Sequence, residues 1–543
     1  MTTPDAAPAT TLKPQSSGRS SALIGAGILL SRLLGLVRQK LIAHYLGAGW
    51  VSDAFNGSFK LTNFIQNLFG EGVLSASFIP VYAKALADGN DEEADRIAGA
   101  VAAILALMVS VLVVVGVLAA PLFVTLFVGG FKGETRELAI RLTRILFPGA
   151  GVFVMSAWCL GILNSHRKFF LSYVAPVFWN IAMIVALAIY GQRSIAAGAA
   201  GEVDLAIVLG WASVIGAVLQ MGVQLPTVFS VLAQFVPRLD FSFAPVREVV
   251  RNFMPAFVSR GVVQISIVID TQIASFIADK GVVTLLQNAT TIYMLPISLF
   301  AMTVSAAELP EMSRDSGVDA AAFERLRVRL NAALPRVAYF VVPSAIGLLV
   351  LGQAITAVLL EGGRFTETMT LRTWAILAGS GVGMLASALG RLYSSTFYAL
   401  RDTRTPLWFA VVRVCLTGIL GYLFAFPLPR MLGLPAWTGA AGLTASAGIA
   451  GWAEFYLLRR AITERIGPTA LPAGRLARLW GAGLVAGAAG FGAMHLLGAS
   501  HHMVRGLAAL GTFALVYGAG TVALNVPEAR ALSGRVLRRG RAA

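Results

Sequence analysis

From residue 21 to residue 526 the chain alternates between apolar stretches of about 20 residues and short polar connections. A helix needs roughly that many residues to cross a hydrocarbon core of about 30 Å, and only helices or closed barrels satisfy the backbone there. The pattern predicts an all-α polytopic membrane protein of about 14 transmembrane helices. They fall near 21–46, 54–86, 93–128, 136–164, 168–191, 203–232, 244–278, 282–312, 320–360, 367–400, 405–427, 436–463, 475–497 and 504–526. Pro80, Pro148, Pro176, Pro255, Pro296 and Pro310 fall within or at the edges of these helices, where they kink the backbone and free carbonyls for other partners.

The pattern repeats itself. Ser31-Arg32 in the first helix is matched by Ser259-Arg260 in the seventh, and Leu68-Phe69 followed by Pro80 by Leu299-Phe300 followed by Pro310. Gly129-Gly130-Phe131 returns as Gly362-Gly363-Arg364-Phe365, and Leu163 with Arg167 as Leu400 with Arg404. The offset rises from 228 at Arg32 and Arg260 to 237 at Arg167 and Arg404, as small insertions in two homologous halves require. Six is even, so both halves enter from the same side and are expected to be related by a parallel pseudo-twofold repeat, with a substrate site between them. The expected divisions are a disordered cytoplasmic tail at 1–18, an N-terminal six-helix lobe at 19–233, a C-terminal six-helix lobe at 234–465, and two extra helices with a basic cytoplasmic tail at 466–543.

Composition agrees: the chain is 57% hydrophobic and 13% charged, which excludes an ordinary soluble domain. The net charge of +16 could suggest nucleic acid, but the basic residues gather in alternate connections. His166-Arg167-Lys168, Arg314 with Arg325, Arg327 and Arg329, Arg401 with Arg404, Arg459-Arg460 with Arg465, and Arg535, Arg538, Arg539 and Arg541 all follow even-numbered helices. The positive-inside rule then places both termini in the cytoplasm, and no nucleic-acid partner is expected. Residues 1 to 18 lack an apolar core or cleavage site, so the first helix is expected to direct insertion. Cys159 and Cys415 imply neither a disulfide framework nor a metal site.

The charges inside apolar helices carry the functional signal, since each costs at least about 2.5 kcal/mol to insert. Arg32 and Arg38 are six residues apart in one helix, about 600° of rotation and 9 Å of rise, so they stand on neighbouring faces. Lys40 and Arg38 could instead snorkel to an interface. Asp53, Lys60 and Glu71 stand among Phe55, Phe59, Phe64 and Phe69, with a helix N-cap as the plainer reading of Asp53. Arg260 and Asp270 share the seventh helix, and Arg391 lies deep in the tenth. The expected substrate-binding set is Arg32, Arg38, Asp53, Lys60, Glu71, Arg260 and Arg391, a cationic cavity suited to a diphosphate. Asp270 and Asp402 are candidates for cation coupling. No catalytic residue, metal or cofactor is expected: no Walker loop or HExxH occurs, and the run Asn90-Asp91-Glu92-Glu93-Ala94-Asp95 reads as a solvated helix start. Gly379-Ser380-Gly381-Val382-Gly383 reads as close helix packing rather than a phosphate loop.

Several stretches resemble a known family. Ser31-Arg32-Leu33-Leu34-Gly35-Leu36-Val37-Arg38, Leu46-Gly47-Ala48-Gly49, Ser52-Asp53-Ala54-Phe55, Phe59-Lys60-Leu61, Phe69-Gly70-Glu71-Gly72 and Ser77-Phe78-Ile79-Pro80-Val81 together resemble the MurJ (MviN) lipid II flippases. These belong to the multidrug/oligosaccharidyl-lipid/polysaccharide exporter superfamily. The likeness continues through Gln264-Ile265-Ser266, Phe397-Tyr398-Ala399-Leu400-Arg401-Asp402 and Thr405-Pro406. It implies export of lipid II, the undecaprenyl-diphosphate-linked peptidoglycan precursor, across the bacterial cytoplasmic membrane by alternating access; separately, an inside-negative potential favours outward movement of such an anion, and a monovalent cation is a candidate coupling partner. It places family positions on Arg32, Arg38, Asp53, Lys60 and Arg391. Gln66-Asn67 and Thr291 depart from it, standing where many relatives carry Arg, and Arg260 could restore one charge from the neighbouring helix. The alternative is a related exporter of another polyprenyl-linked oligosaccharide or of drug-like molecules. A non-transporting scaffold gains nothing from buried arginines.

Overall fold

The computed structural model describes residues 17–315, 320–469, 471–498 and 501–531, and these are helical throughout. The expected tail at 1–18 and the terminal arginines from Arg535 lie almost wholly outside the described residues. The first half gives α1 (Ser17–Leu46), α2 (Trp50–Phe69), α3 (Glu71–Ser77), α4 (Ile79–Ala87), α5 (Asp91–Leu118), α6 (Ala120–Val128), α7 (Gly133–Ser165), α8 (Phe169–Ala196) and α9 (Gly198–Val231). The second gives α10 (Ala244–Ser275), α11 (Val282–Pro296), α12 (Thr303–Asp315), α13 (Ala320–Leu360), α14 (Glu367–Val382), α15 (Met384–Ala399), α16 (Arg404–Ala425), α17 (Pro427–Met431) and α18 (Thr438–Ile466). Two more follow, α19 (Ala473–Leu496) and α20 (His502–Ala523).

Four rods expected to be continuous are broken, each at an identifiable residue. The rod expected at 54–86 parts at Gly70 and at Phe78, two residues before Pro80. The one at 93–128 breaks at Ala119, ahead of Pro121. Past Pro296 the α11 ladder widens into a π turn at Ile297–Met302, because proline supplies no amide to the preceding turn. Helices α14 and α15 meet at 43° across Gly383, whose backbone touches Gly448 of α18. Among the described residues nine helices are long and apolar enough to cross a membrane, or ten when that bent pair counts as one. This criterion does not reach the fourteen expected. The second rod is interrupted twice, and α18 carries Gly and Ala where other spans carry larger aliphatic residues.

Packing echoes the repeat. Helix α8 lies against α1 and α9, and α9 against α7; in the second half α16 lies against α10 and α18, and α18 against α14. Helices α19 and α20 pack on each other and on α13. The turns after α7 and α15 superpose in detail: Arg167 and Arg401 both have φ 58°, and the next amide in each bonds back, Lys168 N to Leu163 O at 2.8 Å and Asp402 N to Phe397 O at 2.9 Å. Arg167 therefore corresponds to Arg401, and not to Arg404 as the sequence match has it.

The connection between halves is pinned to the start of α5. Asp95 accepts the Gln234 amide at 2.6 Å, and Arg96 bonds Asp240 at 2.6 Å while lying 4.0 Å over the Phe243 ring. The Arg96 hydrogen bond, seconded by the Ser242 hydroxyl, pulls the Asp240 carboxyl down to about 2.

Candidate functional site

At one end of the molecule the two halves are clamped together. Asp53, in the first turn of α2, is buried and turns its carboxylate onto the start of α11. Oδ2 accepts the Gly281 amide at 2.7 Å, and Oδ1 accepts the Thr284 amide and hydroxyl at 2.8 and 2.9 Å. An anion is favoured there because the first amides of a helix lack partners inside it. Gly281 sits at φ +87° with Ala48 O where a Cβ would be, so this approach needs glycine. Beside it Asn56 donates to Thr284 Oγ1 at 3.2 Å, and Gln39 of α1 donates to Asn288 of α11 at 2.6 Å.

Two glycine turns complete the clamp, and they are repeat counterparts. Gly129 N and Gly130 N donate to Gln272 Oε1 at 2.8 Å and Ser275 Oγ at 3.0 Å, at the end of α10. In the other half Arg364 N donates to His44 O at 2.8 Å, at the end of α1, and the Arg364 side chain pairs with Glu202 of α9 at 2.7 Å. Each half thus grips the terminus of the other half's first helix.

Further along the helices lie the interior charges. Arg38 Nη1 donates to Asn180 Oδ1 at 3.0 Å, and its guanidinium lies 4.3 Å over the Trp179 ring. Lys60 Nζ reaches Thr271 Oγ1 at 3.5 Å and feels the fields of Asp270 and Asp53. Asp270 has one buried oxygen without a hydrogen-bond partner and lies between the fields of Lys60 and Arg413. In the second half Arg413 of α16 pairs with Glu454 of α18 at 3.0 Å, and both act on Arg391 together with Tyr293. Arg38, Lys60, Asp270 and Arg391 sit deep in the protein mass. All four nonetheless keep accessible surface, and Arg391 is exposed. Three of these four side chains are cations, and they come from both halves of the chain.

The profile of the family described as "Lipid II flippase MurJ" matches residues 42–512. The chain belongs to that family. A probable lipid II flippase MurJ of Rhizobium meliloti (strain 1021) is 30% identical over 80% of this chain and 79% of its own length. The lipid II flippase MurJ of Burkholderia cenocepacia is also 30% identical, over 80% and 82%. A solved lipid II flippase MurJ in an inward closed conformation aligns with a TM-score of 0.76 at 25% identity, covering 93% of this chain and 98% of that one. An inward-facing transporter of the multidrug resistance MATE family shares the fold, with a TM-score of 0.63 at 18% identity over 82% and 98%.

In this MurJ-family chain the residues singled out from the sequence divide into groups. Arg38, Lys60, Arg391 and Asp270 are the interior charges of the two halves. Asp53 caps the opposing helix, whereas the N-cap of its own helix is Gly49. Arg32 is exposed among the exposed Leu29, Leu30, Leu33 and Val37. Arg260, also exposed, lays its guanidinium across Gly72 of α3, whereas Thr291 stays in α11 and bonds its own helix at Gln287 O, 2.9 Å away. Gln66 is half-buried and Asn67 exposed. Glu71 opens α3, and its side chain lies outside the described residues.

Asp402 does not join the interior group. It caps α16, accepting the Arg404 and Thr405 amides at 3.1 and 3.0 Å and the Thr405 hydroxyl at 2.7 Å, and it pairs with Arg465 at 2.6 Å. Burial opposes its ionisation, but the Thr405 bonds and Arg465 hold its carboxyl below the usual range. With both oxygens so engaged, this geometry argues for a structural cap over cation coupling. Lys40 Nζ donates to Val358 O, near the end of α13, at 3.0 Å. Sequence reasoning passed over Trp179, Asn180, Asn288, Arg413 and Glu454. For Arg413 and Glu454 the signal was present, a charge in the middle of each of two apolar helices.

Proposed function

We propose that this chain exports lipid II by alternating access, binding the diphosphate at Arg38, Lys60 and Arg391 in a space between its two six-helix lobes. The supporting observation is that these cations are deep yet accessible while the far end of the molecule is clamped. Arginine offers a diphosphate paired donors in a fixed geometry, and lysine adds a compact positive charge. The basic turns at Arg167 and Arg401 sit at the opposite end from the clamp, so the positive-inside rule puts them, and both termini, in the cytoplasm. The clamped end is then periplasmic, and the space receives its substrate from inside. The protein makes and breaks no covalent bond. An inside-negative potential favours outward movement of an anion by about 2.3 kcal/mol per charge per 100 mV.

The test is growth of cells depleted of their own lipid II flippase. The intact chain restores growth, whereas Arg38→Ala and Arg391→Ala reach the membrane in normal amounts and fail to restore it. Failure of the intact chain would sink the assignment; normal growth of both variants would remove the cationic site. Coupling is assigned to Asp270, whose unpartnered oxygen is available to a proton or a monovalent cation. Flipping by Asp270→Asn in vesicles is expected to lose its dependence on the ion gradient, and wild-type gradient dependence in that variant excludes this residue.

A further inference from the structure

We infer that Trp179 and Asn180 of α8 are positioning residues that aim one edge of the Arg38 guanidinium at the substrate diphosphate. The inference rests on the reading of Arg38 as a substrate contact and adds how that contact is prepared. A guanidinium has two edges that grip an oxyanion with paired N–H groups, one formed by Nη1 and Nη2 and the other by Nε and Nη2. Asn180 Oδ1 takes Nη1, which occupies the first edge. Nε has no hydrogen-bond partner, so the second edge keeps an uncommitted donor, which is buried in this closed arrangement and meets a ligand only once the helices part. A buried charged donor without an acceptor is costly, and a phosphate oxygen arriving there removes that cost.

Both neighbours are themselves held in place. Asn180 Nδ2 donates to Pro176 O at 3.0 Å, which turns its carbonyl oxygen towards Arg38. Trp179 Nε1 donates to Ser213 Oγ of α9 at 3.2 Å. Its ring stacks on Phe59 at 5.7 Å and meets Phe153 edge-on at 5.9 Å. Gly216 of α9 lets this occur, since a Cβ there would strike the Trp179 ring. The indole face therefore fixes the plane of the guanidinium by cation–π attraction, and Asn180 fixes its rotation within that plane. Arginine at a stacked, bidentate site is not replaceable by lysine.

The test is binding of undecaprenyl diphosphate to the purified full-length protein, with undecaprenyl monophosphate as the comparison ligand. Trp179→Leu and Asn180→Ala are each expected to weaken diphosphate binding roughly tenfold and monophosphate binding less, while Trp179→Phe, which keeps an aromatic face, binds nearly as the parent does. Arg38→Ala combined with Trp179→Leu should bind no more weakly than Arg38→Ala alone, because a residue acting through Arg38 has nothing left to position. Additive losses in that double variant, or full affinity in both Trp179→Leu and Asn180→Ala while Arg38→Ala loses it, would overturn the positioning role and leave the substrate site standing. Unchanged diphosphate binding by Arg38→Ala would overturn both.

Discussion

Asp53 shows how one carboxylate can serve a helix it does not belong to. Removing it leaves the Gly281 and Thr284 amides at the start of α11 without their acceptor. Asp53→Ala should weaken the clamp by roughly 2 kcal/mol, shifting the balance between closed and open ends by about thirtyfold. A cysteine placed at Asn56 would then react faster with a membrane-impermeant thiol reagent, and unchanged reactivity would show that Asp53 does not hold this end. Which residues could be picked from sequence follows from contrast with lipid. Arg38, Lys60, Asp270 and Arg391 stand out because a charge in an apolar helix is expensive. Trp179 and Asn180 do not, because an aromatic or an amide in a helix reads equally well as core. Asp53 and Asp402 stand out as charges too, but the helix starts they cap are not evident from the chain. What a carboxylate caps depends on which helix start lies opposite, and one chain written out in order does not contain that.

At the scale of elements, the repeat and most helices were legible because apolar runs of membrane length and ordered internal matches are long-range signals. The breaks were not. Phe78, Ala119 and Gly383 interrupt stretches without a charged break, and what ends each helix is a local backbone event or the approach of a neighbour. Gly383 is the clearest case, since its missing side chain lets α15 start with its backbone against Gly448. Gly383→Ala must push α18 away from the α14–α15 bend, at a cost of about 1–3 kcal/mol typical of overpacking. A lower melting temperature in detergent is the expected result, and an unchanged one would mean that the bend is set elsewhere.

For the whole molecule, transport by alternating access requires the clamped end to come apart as one unit: Asp53 on α11, Gln39 on Asn288, and the two glycine turns. A reversible thiol cross-linker joining Asn56→Cys to Thr284→Cys, in a Cys415→Ser background with Cys159 buried, should stop lipid II flipping in vesicles until it is reduced. Undiminished flipping by the cross-linked protein would show that this end stays shut throughout the cycle. The reciprocal grip also sets a timetable for biogenesis. The end of α1 is gripped by Arg364, and 319 positions separate Tyr45 from that residue. At about 5–20 residues per second the ribosome needs between roughly 15 and 65 s to deliver it. Until then the His44 and Tyr45 carbonyls at the end of α1 lack the donors that Arg364 supplies. A chain that stalls anywhere before residue 364 therefore carries its own mark of incompleteness.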